Sequence, residues 1–152
     1  MNLKDRVALV TGASRGIGAA TAEVLASRGA RVAVSARTVS DLEQVAASIQ
    51  QNGGQALAIP CDVLDQAQVE TMIRRVVETW GRLDILVNNA GLGTPTMPVE
   101  TIPPAEWDNT IALNLKSAFL CLRAAVPVMK TQQYGRIVNV SSFAGRNVSL
   151  IS

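Results

Sequence analysis

The sequence contains no histidine. Within these residues that absence excludes imidazole metal ligands, Ser-His-Asp triads and histidine general bases together. Aromatic side chains make up only 3%, which leaves little on which nucleobases could stack. The net charge is +2 and the positive residues are scattered, so neither nucleic acid nor a membrane surface is expected as a partner. Cysteine is scarce too: Cys61 and Cys121 fall at a strand end and in an apolar helix, and read as packed thiols in a reducing cytoplasm. Met1 to Arg6 is charged with no signal-peptide core behind it, and no apolar run looks long enough to cross a bilayer. The expectation is a soluble, cytoplasmic chain with no metal site.

Apolar residues are plentiful, at 48% of 152 residues, enough for the packed core of a single domain spanning 1–152. The most telling stretch is T-G-A-S-R-G-I-G, Thr11 to Gly18. Before it lies the short apolar run Val7 to Val10, and after it a helical segment, Ala19 to Arg28, stopped by Gly29. Strand, glycine turn and helix in that order form a phosphate-binding unit. Gly12, Gly16 and Gly18 let the main chain approach a diphosphate, and the first N–H groups of the helix face the anion. The spacing is G-x-x-x-G-x-G, not the commoner dinucleotide pattern.

The remaining elements follow in alternation. Arg31 to Ala36 reads as a second strand. Ser40 opens a helix through a capping box with Glu43, its buried face carrying Leu42, Val45 and Ile49. Ala56 to Pro60 is a third strand, and Asp65 caps a helix striped by Val69, Ile73, Val76 and Trp80 and ended by Gly81. Leu83 to Val87 is a fourth strand, apolar enough to be covered on both faces. Pro103 and Pro104 introduce a long helix from Glu106 to about Met129, with a kink expected near Pro127, and Ile137 to Val140 is a fifth strand. Such alternation implies an α/β fold, a Rossmann-type doubly wound parallel sheet of order 3-2-1-4-5. The glycine turn, Arg37, Asp62, Asn88 to Gly91, Ser141 and Ser142 then all follow strand ends on one edge, where a ligand binds.

These residues resemble the short-chain dehydrogenase/reductase family. The resemblance rests on Thr11 to Gly18, Asp62-Val63, N-N-A-G at Asn88 to Gly91, Asn114 in N-L-K-S, and I-V-N-V-S-S at Ile137 to Ser142, and is strongest to 3-oxoacyl-thioester reductase-like members. It implies hydride transfer between a nicotinamide cofactor and a small carbonyl or alcohol substrate. The implied cofactor residues are Gly12, Ser14, Arg15, Gly16, Ile17, Gly18, Arg37, Asp62, Val63, Asn89, Ala90 and Gly91. NADP(H) is favoured over NAD(H), because Ala36-Arg37 stands where NAD-selective sites carry an acid, and Arg15 adds a second cation. Two solvated surface arginines are the plain alternative. Asp62 would accept from the adenine amino group or simply close a turn, and Asn88 and Asn89 divide between strand tying and cofactor contact.

By the same resemblance Ser142 is the catalytic serine and Asn114 holds a water in a proton relay, with a solvated or core-bonded asparagine as the alternative. The family's Tyr-x-x-x-Lys pair does not occur here. Tyr134 is followed four residues on by Val138 and precedes the fifth strand, so it is a turn residue. The expectation is the front part of a longer enzyme, with the C-terminal part of the family fold absent and the chain alone nearly inactive. A non-catalytic NADP(H)-binding or interaction domain is the alternative. Leu113, Phe119, Leu120, Leu122 and Val126 give the long helix surplus apolar surface, and the resemblance implies that this helix lies at a subunit interface, hence a homo-oligomer for the parent protein.

Overall fold

The computed structural model describes residues 2–93 and 97–142. Five parallel strands, β1 (Val7–Thr11), β2 (Arg31–Ala36), β3 (Gln55–Pro60), β4 (Ile85–Asn88) and β5 (Arg136–Asn139), lie in the order β3-β2-β1-β4-β5. The expected order 3-2-1-4-5 is thus observed. Helices α1 (Gly16–Ser27), α2 (Val39–Gln51) and α3 (Gln66–Trp80) connect the first four strands. A short 3-10 turn at Val99–Thr101 leads into α4 (Pro104–Ile111), a π-helical segment at Ala112–Lys116 and α5 (Ser117–Thr131).

Alternation along the central strand sorts the core into two layers. Val7 and Leu9 of β1 face one cluster, with Val69, Met72, Ile73 and Val76 of α3 and Leu120, Cys121, Ala125 and Met129 of α5. Ala8 and Val10 face the other, with Ala22 and Ala26 of α1 and Leu42, Ala46 and Ile49 of α2. Every residue of β1 is buried, as a strand with helices on both faces requires. Both cysteines are buried free thiols, as expected.

Local readings hold where the side chain itself makes the bond. The Asp65 carboxylate accepts from the backbone N–H groups of Ala67 and Gln68 at 2.9 and 3.1 Å, and Gly81 ends α3 in the left-handed region. The Ser40 capping box is not formed. Thr38 occupies the cap position of α2 without a side-chain bond, and Ser40, inside the first turn, bonds the neighbouring Asp41 carboxylate instead. Helix α1 starts at Gly16, three residues before the expected Ala19. The run Pro104–Thr131 is also, by length and composition, apolar enough to cross a membrane, contrary to expectation. In this fold it lays one face on α3 and the sheet.

Asp84, fully buried just before β4, organises the edge where the strands begin. Its carboxylate accepts from Arg82 at 2.6 and 2.7 Å, from the Val7 N–H at 2.9 Å and from Arg6 at 3.0 Å. Its own N–H donates to Val7, and its carbonyl accepts from Arg136, so one residue joins the starts of β1, β4 and β5. Burial alone would raise the Asp84 carboxyl, but the hydrogen bonds from Arg82, Val7 and Arg6 outweigh it and hold it below the ordinary value. With the folded value lower than the unfolded one, this stabilisation is complete above the ordinary carboxylate range. It is lost as pH falls through the depressed folded value. Asp84→Ala should therefore cost about 3 kcal/mol in urea unfolding at pH 7, and the gap from the parent chain should narrow in acid. Equal unfolding midpoints at pH 7 would contradict this role.

Candidate functional site

At the opposite edge, where the strands end, the chain leaves β1 through Gly12 with φ +63°. A Cβ there would stand 2.8 Å from the Ala90 Cα, so the turn touches the loop after β4 backbone to backbone. At Gly18, inside α1, a Cβ would overlap the Gly12 carbonyl oxygen and come within 2.5 Å of Asn89 Nδ2. The two glycines allow α1 to begin directly against the turn. Its cap residue Arg15 makes no side-chain cap bond, and its first turn holds no acid. The orphan N–H groups of a helix start are left as donors for an anion, reinforced by the positive end of the helix dipole.

This start opens into a cleft of about 620 Å³, counted with its open mouth, where Ser14 and Arg15 face Ala36 and Arg37, Asp62 and Val63, and Ala90 and Gly91. Arg15 and Arg37 are exposed and have no carboxylate partner among the described residues. Asp62 is half-buried, and its Oδ1 accepts from the Leu64 N–H at 3.0 Å. Cys61 lines the floor with its thiol pushed up to about 11, chiefly by burial and further by Asp62 and Asp65. It is a packing group, not a thiolate nucleophile.

Thr11 and Asn89 lock the two sides of the turn. The buried Thr11 hydroxyl accepts from the N–H groups of Asn89 and Ala90, each at 3.1 Å, and donates to the Val87 carbonyl at 3.3 Å. Asn89 Nδ2 returns to the carbonyls of Thr11 and Gly12 at 3.0 and 3.1 Å. Farther along the loop, Asn114 takes hold of Leu92. Its Oδ1 accepts from the Leu92 N–H at 3.0 Å, and its Nδ2 donates to the carbonyls of Leu92 and Thr110 at 3.1 and 3.0 Å. Asn114 lies in the π segment, where the Ser117 N–H reaches back to Ala112. The Ser117 hydroxyl then satisfies the Leu113 carbonyl at 2.5 Å.

A hollow of about 760 Å³ between α1 and α2 lacks such convergence. Its polar groups satisfy one another, Ser48 with Glu23, Ser27 with Val24 and Asn52 with Ser48. The strand-end cleft is the candidate site.

A family model described as short chain dehydrogenase matches residues 6–151. The chain belongs to the short-chain dehydrogenase family. It is 42% identical over 144 residues to a 3-oxoacyl-[acyl-carrier-protein] reductase of Synechocystis sp., across 94% of this chain and 58% of that protein. A short-chain reductase of Streptomyces niveus is 43% identical, across 94% of this chain and 54% of the relative. Among solved structures, a metagenomic short-chain oxidoreductase in complex with NADP superposes with a TM-score of 0.89 at 48% identity, covering 95% of this chain and 66% of that one. A 3-ketoacyl-ACP reductase from Sinorhizobium meliloti 1021 gives 0.90 at 45% identity, covering 94% and 56%. The chain spans a little over half the length of these curated relatives.

In this short-chain dehydrogenase chain the residues expected at the site separate into two kinds. Gly12, Ser14, Arg15, Arg37, Asp62, Val63, Ala90 and Gly91 line one cleft, with Gly16, Ile17 and Gly18 in the first turn of α1 beside it. Ile17 is exposed at 68%. Asn89 spends its amide nitrogen on the glycine turn, and Asn88 donates to Asn139 Oδ1 at 2.9 Å across β4 and β5, leaving its own Oδ1 without a partner among the described residues. Asn114 has its amide committed to backbone groups, which is the protein-bonded alternative left open by the sequence. Ser141 and Ser142 follow β5 and are exposed. Residues 94–96 and 143–152 lie outside the described residues.

Tyr134 is remote from this edge, stacked between the guanidinium groups of Arg6 and Arg136, 4.2 and 4.8 Å from its ring centre. Sequence reading missed the Thr11 hub, Leu113 in the cleft wall and the π segment. Asn114 was the available signal for the last, since a mid-helix asparagine needs a partner.

Gly18→Ala tests the close approach of α1 to the turn. Alanine is the better helix former by about 1 kcal/mol, yet the overlap with the Gly12 carbonyl should destabilise the chain by about 2 kcal/mol in urea unfolding. A higher midpoint for the variant would contradict the packing.

Proposed function

We propose that this chain is the cofactor-binding portion of a cytoplasmic NADP(H)-dependent oxidoreductase acting on a small carbonyl or alcohol substrate. The observation that carries this reading is the pairing of an uncapped helix start at the glycine turn with two unpartnered arginines, Arg15 and Arg37, beside it. A dinucleotide needs an anion site for its diphosphate, and the N–H groups opening α1 supply one. A 2′-phosphate needs cations where a 2′-hydroxyl would need a carboxylate. Ala36-Arg37 at the end of β2 fits the need of the 2′-phosphate. The NADP complex of the metagenomic relative supports the same choice.

The dinucleotide, when bound, supplies or takes a hydride at its nicotinamide ring. The chain's residues do the rest. Gly12, Gly16 and Gly18 let the backbone meet the diphosphate, with Ser14 and Ile17 flanking it. Asp62 accepts from the adenine amino group through its remaining oxygen, with Val63 beside the base, and Asn89, Ala90 and Gly91 border the ribose and nicotinamide side. Ser142 orients the substrate oxygen by hydrogen bonding. Asn114, with its amide spent on Leu92, supports the proton relay by fixing the loop that borders it.

Proton transfer in the family falls to the tyrosine and lysine of Tyr-x-x-x-Lys, which these 152 residues do not contain. General acid–base catalysis contributes about 10² to 10⁴ in rate, so the chain by itself should bind cofactor and turn over slowly at most. The exposed stripe of Trp107, Ile111, Leu115 and Phe119 favours self-association of the whole protein through α4 and α5.

Fluorescence titration should show NADPH binding more tightly than NADH. Arg37→Ala should weaken NADPH about tenfold, the scale of one charge-assisted hydrogen bond, and leave NADH nearly unchanged. Equal affinities for the two nucleotides in both proteins would contradict the charge argument.

A further inference from the structure

Asp62 and Val63 sit on a turn with no strand partner of its own, yet the turn is bonded on every side. Asp62 N–H donates to Gln68 Oε1 at 2.9 Å. Leu64 N–H donates to Asp62 Oδ1 at 3.0 Å, and the Asp62 carbonyl accepts from the Asp65 N–H at 3.0 Å. Gln68 in turn donates through Nε2 to Asp65 Oδ2 at 2.9 Å, while the other oxygen of Asp65 caps α3. The backbone bond and the side-chain bond from Gln68, with the Ala67 N–H, outweigh slight desolvation and hold the Asp65 carboxyl below its ordinary value. The bracing therefore persists through neutral pH.

We propose that Gln68 is a positioning residue for adenine recognition: its side-chain amide, bridging the cap of α3 to the Asp62 backbone, holds the Asp62–Val63 turn in its ligand-binding shape. This rests on the dinucleotide reading above. Gln68 does not line the cleft, so its effect passes through Asp62. The bridge holds the Asp62 backbone, while the Leu64 N–H takes Asp62 Oδ1 and no described residue bonds Oδ2. A carboxylate held with one oxygen committed and the other presented to the cleft loses less freedom on binding than an unbraced one. Gln68 is exposed, so its removal should leave the fold intact.

Gln68→Met keeps side-chain length and helix propensity while removing both polar atoms. The probes are NADPH, NADH and the adenine-free reduced nicotinamide mononucleotide, titrated into the parent chain and the variant, with urea midpoints for both. NADPH and NADH should each weaken about fivefold, the scale of one neutral hydrogen bond, so that their ratio is unchanged. The mononucleotide should bind the two proteins alike. A merely structural loss would weaken all three probes together and lower the urea midpoint, and that result would overturn the proposal. So would unchanged dinucleotide affinity in the variant, which would leave the dinucleotide reading standing. Absence of dinucleotide binding to the parent chain would overturn both.

Discussion

The buried hydroxyl of Thr11 is the constraint on which the site depends. It accepts two backbone N–H groups from the loop after β4 and donates to a third residue of that strand, while Asn89 sends two bonds back to the turn. Each such bond is worth only about 1 kcal/mol net, but the buried donors would cost more if left unmade. The glycine turn and the N-N-A-G loop therefore move as one body. Gly12 and Gly18 make the approach possible, and Asn114, placed by one extra residue of helical register, grips the far end of the same loop. A π segment in one helix, a loop after β4 and the start of α1 are linked through side-chain amides to main-chain atoms.

The two ends of the parallel sheet divide the charge between stability and chemistry. At the end where strands begin, Arg6 and Arg82 share the carboxylate of a buried Asp84. Arg6 and Arg136 also lie against the Tyr134 ring. At the end where strands finish, Arg15 and Arg37 stand beside an uncapped helix and form no ion pair among the described residues. The same residue type thus does opposite work, and the difference is whether a carboxylate was supplied. An unpaired cation pair beside orphan N–H donors is costly to no one while exposed, and it is a ready counter-charge for a phosphorylated ligand.

The strand order and the edge carrying the cleft were legible because they follow from apolar alternation and chain connectivity, which local sequence encodes directly. Asp65 and Gly81 were legible because a carboxylate before a helix and a glycine after one have few other uses. Ser40 misled because a capping box depends on where the first helical residue falls, and α2 starts two residues earlier than that box requires, at Val39 with Thr38 as its cap. Asp84 was absorbed into an apolar strand reading, since its partners Arg6 and Val7 lie far away in sequence. The π register at Ala112–Lys116 leaves no composition signal beyond an asparagine in mid-helix, and the purpose of Asn114 becomes visible only with Leu92 beside it. Gln68 was invisible for a related reason, as glutamine on an exposed helical turn is ordinary until its partner is the backbone of Asp62.

The proposed binding mode lays a phosphorylated nicotinamide dinucleotide across the turn at Gly12 to Gly18 with its adenosine end toward Arg37 and Asp62. Backbone amide chemical shifts recorded while NADPH is added to ¹⁵N-labelled protein test this most directly. Saturable shifts should concentrate at Gly16, Ile17 and Gly18, at Arg37, and at Asp62 and Val63, while the Asp84 edge stays unmoved. Shifts confined to the hollow between α1 and α2, around Glu23 and Ser48, would contradict the account.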